Sequence, residues 1–397
     1  MLQAKTADGR SVTLASMNRE SILALKNTGI LFYCPVCGKQ VIMKVGVKII
    51  AHFAHKSTVD CPSYEGGEGM YHEQGKLLLY QWLKRHDMKV ELEVYLPEIQ
   101  QRPDIFITWN NRRIAIEYQC ARISGEIIRK RTHGYRSSGI IPIWIAGATL
   151  FTRYQANSFR IDQFTKQLLH QYNPRLPPVL YYFCPYTSQL AILQDIFITK
   201  STQAIGKIRI SPLNKHKFSD LFQFEFFTNA ELQYLWQKEK FKFRQTQGIK
   251  PYGSELNWRR WLYSKGLHLE NLPSIVHLPI TSQYRMKIPL WNWQSKVCLE
   301  IIDPLPVEGV FSNAECQGLF FRQLYKSKQF PLIPSQSNPV QEYLSLLEQL
   351  QVIEKVSSGM YKKRQPISFY HHIEQAVQGD EQLVKELFRQ KSNIIRA

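Results

Sequence analysis

The sequence predicts a protein of the α/β class, with a Cys- and His-rich segment before the α/β core and a mainly helical region after it. Two observations support this prediction. Over residues 71–147 the apolar positions follow the order helix, strand, strand, strand, helix, strand, and from residue 228 onwards their spacing is mainly helical. We therefore expect four domains: an N-terminal segment over 1–66, an α/β core over 67–180, a mixed α+β extension over 181–227, and a basic, mainly helical region over 228–397.

The N-terminal segment contains residues with the spacing of a zinc site. Cys34 and Cys37 are separated by two residues in "CPVCG", and "HFAH" contributes His52 and His55. Structural zinc takes four Cys or His ligands in a tetrahedron, and two thiolates at this spacing can hold one ion. Cys34, Cys37 and His55 are the first choices, while His52 and Cys61 compete for the fourth position. The alternative is a set of reduced cysteines beside unrelated histidines.

The Gly-rich stretch "SYEGGEGM" marks the predicted start of the core. Amphipathic helices are predicted over 71–86 and 121–139, a further helix over 155–172, and strands over 89–96, 140–147, 177–186, 189–198 and 204–213. The polar side chains of interest on the first two helices are Glu73 and Lys76 in the first, and Arg131 and Tyr135 on one face of the second.

The stretch "RPDIFITWNNRRIAIEYQ" predicts a β-hairpin with an acidic residue on each strand. Asn tolerates positive φ, so Asn110 and Asn111 are suited to a two-residue turn between the apolar runs. In that register Asp104 lies directly opposite Glu117. Like charges at such positions are destabilising, and a divalent cation between the carboxylates would remove the repulsion. The alternative is a solvated hairpin end at which the two acids never meet.

The segment from Phe32 to Gly147 resembles the competence protein CoiA family, through "CPVC…HFAH", "HEQGK", "RPDIFI", "IEYQ" and "IWIAG" in this order. The resemblance implies an N-terminal zinc-ribbon-like segment joined to a restriction-endonuclease-like nuclease core of the PD-(D/E)xK type. Asp104 then matches the first acid of that motif and Glu117 the second. Gln119 stands where many relatives carry Lys, and Glu73 matches an additional metal-directed acid.

The charge of the chain indicates a polyanionic partner. The net charge is +19, and aromatic residues, 12% of the chain, often lie beside Lys or Arg, as in "KEKFKFRQ". These features favour nucleic acid, with aromatic side chains stacking on single-stranded bases.

No run of 18 apolar residues and no signal peptide is present, which predicts a cytoplasmic protein without membrane insertion. Seven Cys in a long chain do not indicate a disulfide framework.

Together the resemblance and the hairpin imply a DNA nuclease dependent on Mg²⁺ or Mn²⁺, acting in competence, natural transformation and recombination. Asp104, Glu117 and Glu73 would hold the metal, and Gln119 would position the attacking water. The expected contacts to single-stranded or branched DNA are Lys76, Arg102, Arg131 and Tyr135. An alternative is a non-cleaving mediator that delivers single strands to a RecA-type recombinase, and a third is a restriction-type endonuclease. The stretch 340–367 resembles the last helix and wing of a winged-helix module.

Overall fold

The computed structural model describes residues 1–14, 17–46, 50–56, 61, 69–245, 250–251, 253–334 and 337–389. They form two compact units. The first comprises residues 1–151, 180–192 and 208–223, and the second comprises residues 152–179, 193–207 and 224–397. The predicted boundary stretch 63–70 lies almost entirely outside the described residues, and the four predicted domains stay a prediction.

The N-terminal part of the first unit is a small antiparallel sheet with one helix. Its strands follow the order β2-β1-β3-β4-β5. The elements are β1 (Gln3–Thr6), β2 (Ser11–Thr13), α1 (Arg19–Asn27), β3 (Phe32–Tyr33), β4 (Gln40–Lys44) and β5 (His52–His55). The apolar side chains Leu14, Ile22, Phe32, Val41 and Phe53 form its core. Because this core is small, a bound metal would contribute much of the segment's stability.

The chain continues through further helices and strands over residues 70–212. In chain order these elements are α2 (Met70–Lys84), β6 (Lys89–Leu92), β7 (Ile105–Trp109), β8 (Arg112–Gln119), α3 (Gly125–Ser137), β9 (Ile140–Gly147), β10 (Arg153–Gln155), β11 (Ser158–Arg160), α4 (Gln163–Gln167), β12 (Val179–Cys184), β13 (Gln189–Ile198) and β14 (Gln203–Pro212). In the first unit the strand order is β12-β9-β8-β7-β6. The pairs β6–β7 and β7–β8 are antiparallel, whereas β8–β9 and β9–β12 are parallel. The predicted order of elements over 71–147 is confirmed.

The predicted hairpin forms in the predicted register. Asn110 and Asn111 have φ angles of 46° and 60°, as a two-residue turn of this type requires. Ile105 pairs with Ile116, so the next pair outward is Asp104 with Glu117. One face of the hairpin carries the fully buried side chains Ile105, Ile107, Ile114, Ile116 and Tyr118. The other face is covered as well, because Phe106 and Ala115 pack with Tyr135 of α3.

The prediction of a helix over 155–172 is wrong for the first half of that range. In the second unit, residues Ser158–Arg160 form the strand β11, which pairs with β14, and only Gln163–Gln167 form a short helix. Phe159 and Ile161 are both buried two residues apart, which is the spacing of a strand. The side chain of Asp162 accepts a hydrogen bond from Thr165 N and starts the helix there.

The rest of the second unit is mainly helical, as predicted. Its elements are α5 (Asn229–Gln245), α6 (Gly253–Ser264), α7 (Leu290–Lys296), β15 (Val310–Ser312), α8 (Asn313–Gly318), α9 (Pro339–Gln349), β16 (Ile353–Ser357), β17 (Met360–Lys363) and α10 (Ile373–Arg389). The three strands form a sheet in the order β15-β17-β16. The helix, strand, turn and strand predicted over 340–367 are present. No helix among the described residues is long and apolar enough to cross a membrane.

The basic run "KEKFKFRQ" in α5 belongs partly to the core. The side chains of Lys240 and Arg244 are buried and pair with Asp380 of α10 at 3.2 and 2.9 Å. Phe243 is also buried, whereas Lys238 and Phe241 are exposed. Only the outward-facing residues of this run are therefore available for the predicted contacts with nucleic acid. Buried charges of this kind are structural because each needs a partner to offset its lost hydration.

The close contact between α2 and β8 gives a testable prediction. A Cβ atom added at Gly75 would lie 2.0 Å from the ring of Tyr118, which is fixed in the core. We expect Gly75→Ala to lower the free energy of unfolding by about 1–3 kcal/mol. Gly134→Ala in α3 is the control, because the neighbouring atom is the flexible amide end of Gln101 and Ala favours helix by about 1 kcal/mol. Denaturant melts of both variants test this, and a stable Gly75→Ala protein would contradict the packing.

Candidate functional site

Three cysteines and one histidine come together in the N-terminal segment. The ligand atoms of Cys34, Cys37, His55 and Cys61 all lie within 4.8 Å of one another. The sulfur atoms of Cys34 and Cys61 are 3.9 Å apart, and the sulfur of Cys37 is 3.3 Å from Nε2 of His55. Two thiolates on one tetrahedral zinc ion are separated by roughly 3.8 Å, given a Zn–S distance of about 2.3 Å. The donor set therefore fits a structural zinc ion.

Strand geometry decides between the two candidates for the fourth ligand. His52 and His55 are three residues apart in β5, so their side chains point to opposite faces. The Nδ1 atom of His52 lies 2.9 Å from the carbonyl oxygen of Ile50, away from the cluster. Cys61 is buried beside Cys34 and completes the group.

The protonation of the cluster is consistent with metal binding. Burial raises the pKa of the Cys34 thiol to about 11, so a thiolate at this position needs a nearby cation. Burial, with a contribution from Arg102, lowers the pKa of His55. His55 is therefore neutral at pH 7, which is the form that binds a metal.

The second site is a group of acids arranged around a buried lysine. The ammonium nitrogen of Lys76 in α2 is 2.5 Å from Glu93 Oε1, 3.3 Å from Glu73 Oε1 and 3.9 Å from Asp104 Oδ1. Lys76 is 0% exposed. A charge at this depth is stable only when it is paired, so these contacts fix the relative positions of α2, β6 and β7.

Glu93 was missed by the sequence analysis. It follows β6 with a φ angle of 51°, and its amide nitrogen donates to the carbonyl oxygen of Asp104 at 3.0 Å. Its Oε2 atom accepts hydrogen bonds from the backbone nitrogens of Leu2 at 2.7 Å and Gln3 at 3.2 Å. Glu93 therefore joins the N-terminal sheet to the acid cluster. In the sequence, Glu93 is one of the polar residues that alternate with apolar ones in "KVELEVYL", so its position gives no signal of this role.

Asp104 is oriented by its own hairpin and by α2. Its Oδ2 atom accepts a hydrogen bond from the backbone nitrogen of Tyr118 at 2.9 Å and lies 3.4 Å from Nε2 of His72. The ring of His72 is stacked on that of Tyr118 at 5.6 Å. The carboxylate is thus held at the open end of the hairpin, where β7 begins.

Glu117 is held from α3 and is buried. Arg131 donates to its Oε1 atom through Nε at 3.1 Å and through Nη2 at 2.5 Å, and the hydroxyl of Tyr135 donates to the same oxygen. Burial raises the pKa of Tyr135 well above its ordinary value, and the neighbouring Glu117 raises it further. Tyr135 therefore remains a hydrogen-bond donor.

These contacts change the roles expected for the basic residues. Lys76 and Tyr135 are 0% exposed, so neither is positioned to contact a phosphate. The side chain of Arg102 is only 9% exposed and lies 3.9 Å from Glu93. Arg131 pairs with Glu117. Lys76, Arg102 and Arg131 offset the charge of the acids, and Tyr135 donates a hydrogen bond to Glu117, so all four side chains organise the acids.

The chemical capacity of the site follows from its donors. Magnesium binds one or two carboxylates together with water and substrate phosphates, and Asp104 and Glu117 supply two. Within the part of the chain that the structure describes, the Cys/His cluster is the only group of three or more Cys, His, Asp or Glu ligand atoms within 4.8 Å of one another. Glu73, Glu93 and Asp104 surround Lys76, whereas Glu117 pairs with Arg131, so the four acids do not converge on one ligand position.

Gln119 lies at the end of β8. Its Nε2 atom donates to the carbonyl oxygen of Ala121 at 2.8 Å. This bond fixes the orientation of the amide.

Comparisons with known proteins agree with this architecture. Models of the competence protein CoiA family match the chain in three places: the N-terminal domain over residues 14–64, the nuclease-like domain over 68–226 and the C-terminal domain over 232–377. The chain is similar to competence protein CoiA of Bacillus subtilis (strain 168), with 27% identity over 361 residues, which cover 88% of this chain and 94% of that protein. No solved structure matches the chain.

The Cys/His cluster predicts which substitutions remove zinc. We expect Cys34→Ser and Cys61→Ser each to reduce the zinc content of about one equivalent per chain to near zero, because each removes one of four ligands. His52→Ala is the matched control and should retain zinc, since its ring faces away. Metal analysis of protein purified in reducing buffer measures this. Zinc loss with His52→Ala but not with Cys61→Ser would contradict the assignment.

Proposed function

Because this chain belongs to the competence protein CoiA family, we propose that it is a divalent-metal-dependent deoxyribonuclease that processes incoming DNA during competence and recombination. The observation that supports this is the pairing of Asp104 and Glu117 at the open end of the hairpin, in the nuclease-like region. The proposed fold of that region is the PD-(D/E)xK type, with Asp104 as the first acid and Glu117 as the second.

The two acids are suited to hold a metal because the protein already fixes their orientation. Asp104 is held by Tyr118 N, and Glu117 by Arg131 and Tyr135. A bound Mg²⁺ or Mn²⁺ would polarise the scissile phosphate and lower the pKa of a coordinated water. Preoriented ligands reduce the reorganisation that metal and substrate binding require. Glu73, one turn before Lys76, is the proposed third acid.

The charge balance of the site favours metal and DNA binding together. The four carboxylates Glu73, Glu93, Asp104 and Glu117 are offset by four cations: Lys76, Arg102, Arg131 and the N-terminal ammonium of Met1, which lies 3.5 Å from Glu73 Oε1. A divalent ion alone would leave an excess of positive charge in a buried site, which is costly. A DNA phosphate that arrives with the ion offsets part of this excess, and magnesium commonly binds through substrate phosphates.

Lys76 accounts for the absence of a lysine at position 119. In the PD-(D/E)xK proteins that this chain resembles, that lysine places a positive charge beside the acids. Here the charge comes from α2, since the ammonium of Lys76 is 3.9 Å from Asp104 Oδ1. Gln119 then retains the smaller task of positioning a water through its carbonyl oxygen.

A second candidate function is a DNA-binding mediator that delivers single strands to a RecA-type recombinase without cleaving them. The internal pairing of every acid in the cluster favours it, because such a site is stable without a metal. The helix and hairpin over Pro339–Lys363 would be a winged-helix-like element that contacts DNA. Incubation of the protein with labelled single- and double-stranded DNA, in Mg²⁺, Mn²⁺ or EDTA, discriminates the two functions, because a mediator binds but never cleaves.

Substitution of the two acids tests the nuclease. We expect Asp104→Asn and Glu117→Gln each to abolish Mg²⁺-dependent cleavage, because each removes a metal ligand. Glu117→Gln should also lower the free energy of unfolding by about 1–3 kcal/mol, since Arg131 loses its charged partner. The sequence alone would predict that this substitution stabilises the protein slightly, because it relieves the repulsion between two opposed acids. The ion pair with Arg131 reverses that expectation.

The control for these variants is Glu98→Gln, a half-exposed acid of the same unit that pairs with Arg113 at 3.4 Å. It should cleave and melt as the wild type does. Cleavage at the wild-type rate by both acid variants would show that Asp104 and Glu117 do not hold a catalytic metal.

Position 119 provides a separate test of the charge argument. We expect Gln119→Ala to reduce the cleavage rate less than the acid variants do, and Gln119→Lys to keep or raise it, because lysine restores the cation common in this nuclease type. Gln155→Lys, which adds the same charge at an exposed position of β10, is the control. Single-turnover cleavage rates compare the three variants. Slower cleavage by Gln119→Lys than by the wild type would contradict the prediction, because it would show that a cation at position 119 does not assist the reaction.

A further inference from the structure

A cavity in the second unit lies where α6 ends. It has a volume of about 490 Å³ and is lined by Arg259, Arg260, Leu262, Tyr263 and Ser264 of the helix and by Leu267, His268, Leu269 and Glu270 of the segment that follows. Ligand pockets in proteins commonly have volumes of about 300–1,000 Å³. None of the acids or cysteines discussed above contributes to it.

The cavity is a consequence of the way in which α6 terminates. Gly266 has a φ angle of 71°, which reverses the chain, and the backbone nitrogens of Gly266 and Leu267 donate to the carbonyl oxygens of Tyr263 and Leu262. Leu267 therefore returns to the helix and forms an apolar floor together with Leu262 and Leu269. Because backbone hydrogen bonds hold the turn, the cavity is built into the fold.

One wall of the cavity is an exposed aromatic ring. Tyr263 is 72% exposed, more than any other large hydrophobic residue that the structure describes. Its ring meets that of His268 edge to face, with 5.7 Å between the ring centroids. This contact orients the ring, while its large exposed area leaves surface for a ligand, and base stacking on an aromatic face is tolerant of sequence.

The rim of the cavity is mostly basic. Arg259 pairs with Glu255 at 2.7 Å, whereas Arg260 is exposed and has no ion pair with an acid of the described residues. His268 also lines the cavity, and Glu270 is the one acid of the lining. An exposed guanidinium one helical turn from an aromatic ring can bind a phosphate bidentately.

We propose that this cavity binds a nucleotide unit of single-stranded DNA, with the base stacked on Tyr263 and the adjacent phosphate bound by Arg260. The proposal rests on the proposed function only in taking DNA as the partner. A duplex buries its base faces in its own stack, so the ring can be reached only by an unpaired base. The chain's net charge of +19 favours the same polyanion.

Equilibrium binding in a buffer without Mg²⁺ or Mn²⁺ and without a chelator tests the cavity separately from the acid site, because the proposed cleavage needs an added divalent ion and the structural zinc is left in place. The probes are a fluorescently labelled oligothymidylate, a duplex of equal length, and thymidine monophosphate. We expect Tyr263→Ala to weaken oligothymidylate binding about five- to thirtyfold, Tyr263→Phe to bind as the wild type does, and Arg260→Gln to reduce the salt dependence by about one phosphate contact. Tyr186→Ala, at a tyrosine 65% exposed in the first unit, is the control and should not change binding.

Three outcomes would overturn the proposal. Unchanged oligothymidylate binding by both Tyr263→Ala and Arg260→Gln would show that the cavity does not contact DNA. An equal loss of duplex binding would mean a non-specific basic surface. Tighter binding of thymidine monophosphate than of the oligonucleotide would identify a free-nucleotide site instead. None of these results depends on whether Asp104 and Glu117 support cleavage.

Discussion

The ammonium of Lys76 is the centre around which the first unit is organised. It has no exposed surface and lies among the carboxylates of Glu73, Glu93 and Asp104, which come from a helix and from the ends of two strands. An unpaired ion at this depth would cost several kcal/mol, so the structure is stable only while all of these elements meet. The same interaction keeps the acids from repelling one another.

This interaction also joins the two candidate metal sites. Glu93 holds Lys76 with one oxygen and the backbone of Leu2 and Gln3 with the other. Those residues lead into β1, which pairs with β3, and β3 pairs with β4 and β4 with β5, the strand that carries His55. A continuous ladder of hydrogen bonds therefore runs from a zinc-type ligand to the acid cluster. The N-terminal segment consequently supports the nuclease-like core as well as itself.

The sequence predicted the features that depend on neighbouring residues. The Asn110–Asn111 turn determines the hairpin register, so Asp104 and Glu117 could be paired without a structure. The pairing of Glu117 with Arg131 could not be found in this way, because it depends on how α3 crosses the sheet. Lys76 was likewise expected to be exposed, because a lysine in an amphipathic helix is usually solvated. It is buried because it pairs with acids that are distant in sequence.

Gln119 stands where many proteins of the proposed nuclease type carry a lysine, and this difference bears on where the site obtains its positive charge. Cleavage of a phosphodiester requires positive charge beside the metal-binding acids. A lysine on the strand that carries the second acid is only one way to supply it. In this chain the strand ends in Gln119, while a helix behind the hairpin brings Lys76 to within 3.9 Å of Asp104. If the proposed nuclease function holds, Lys76 would supply from a helix the positive charge that the lysine of the motif supplies from the strand. The spacing of the motif alone would then be a poor guide to such a site, because a cation beside the acids can come from an element distant in sequence.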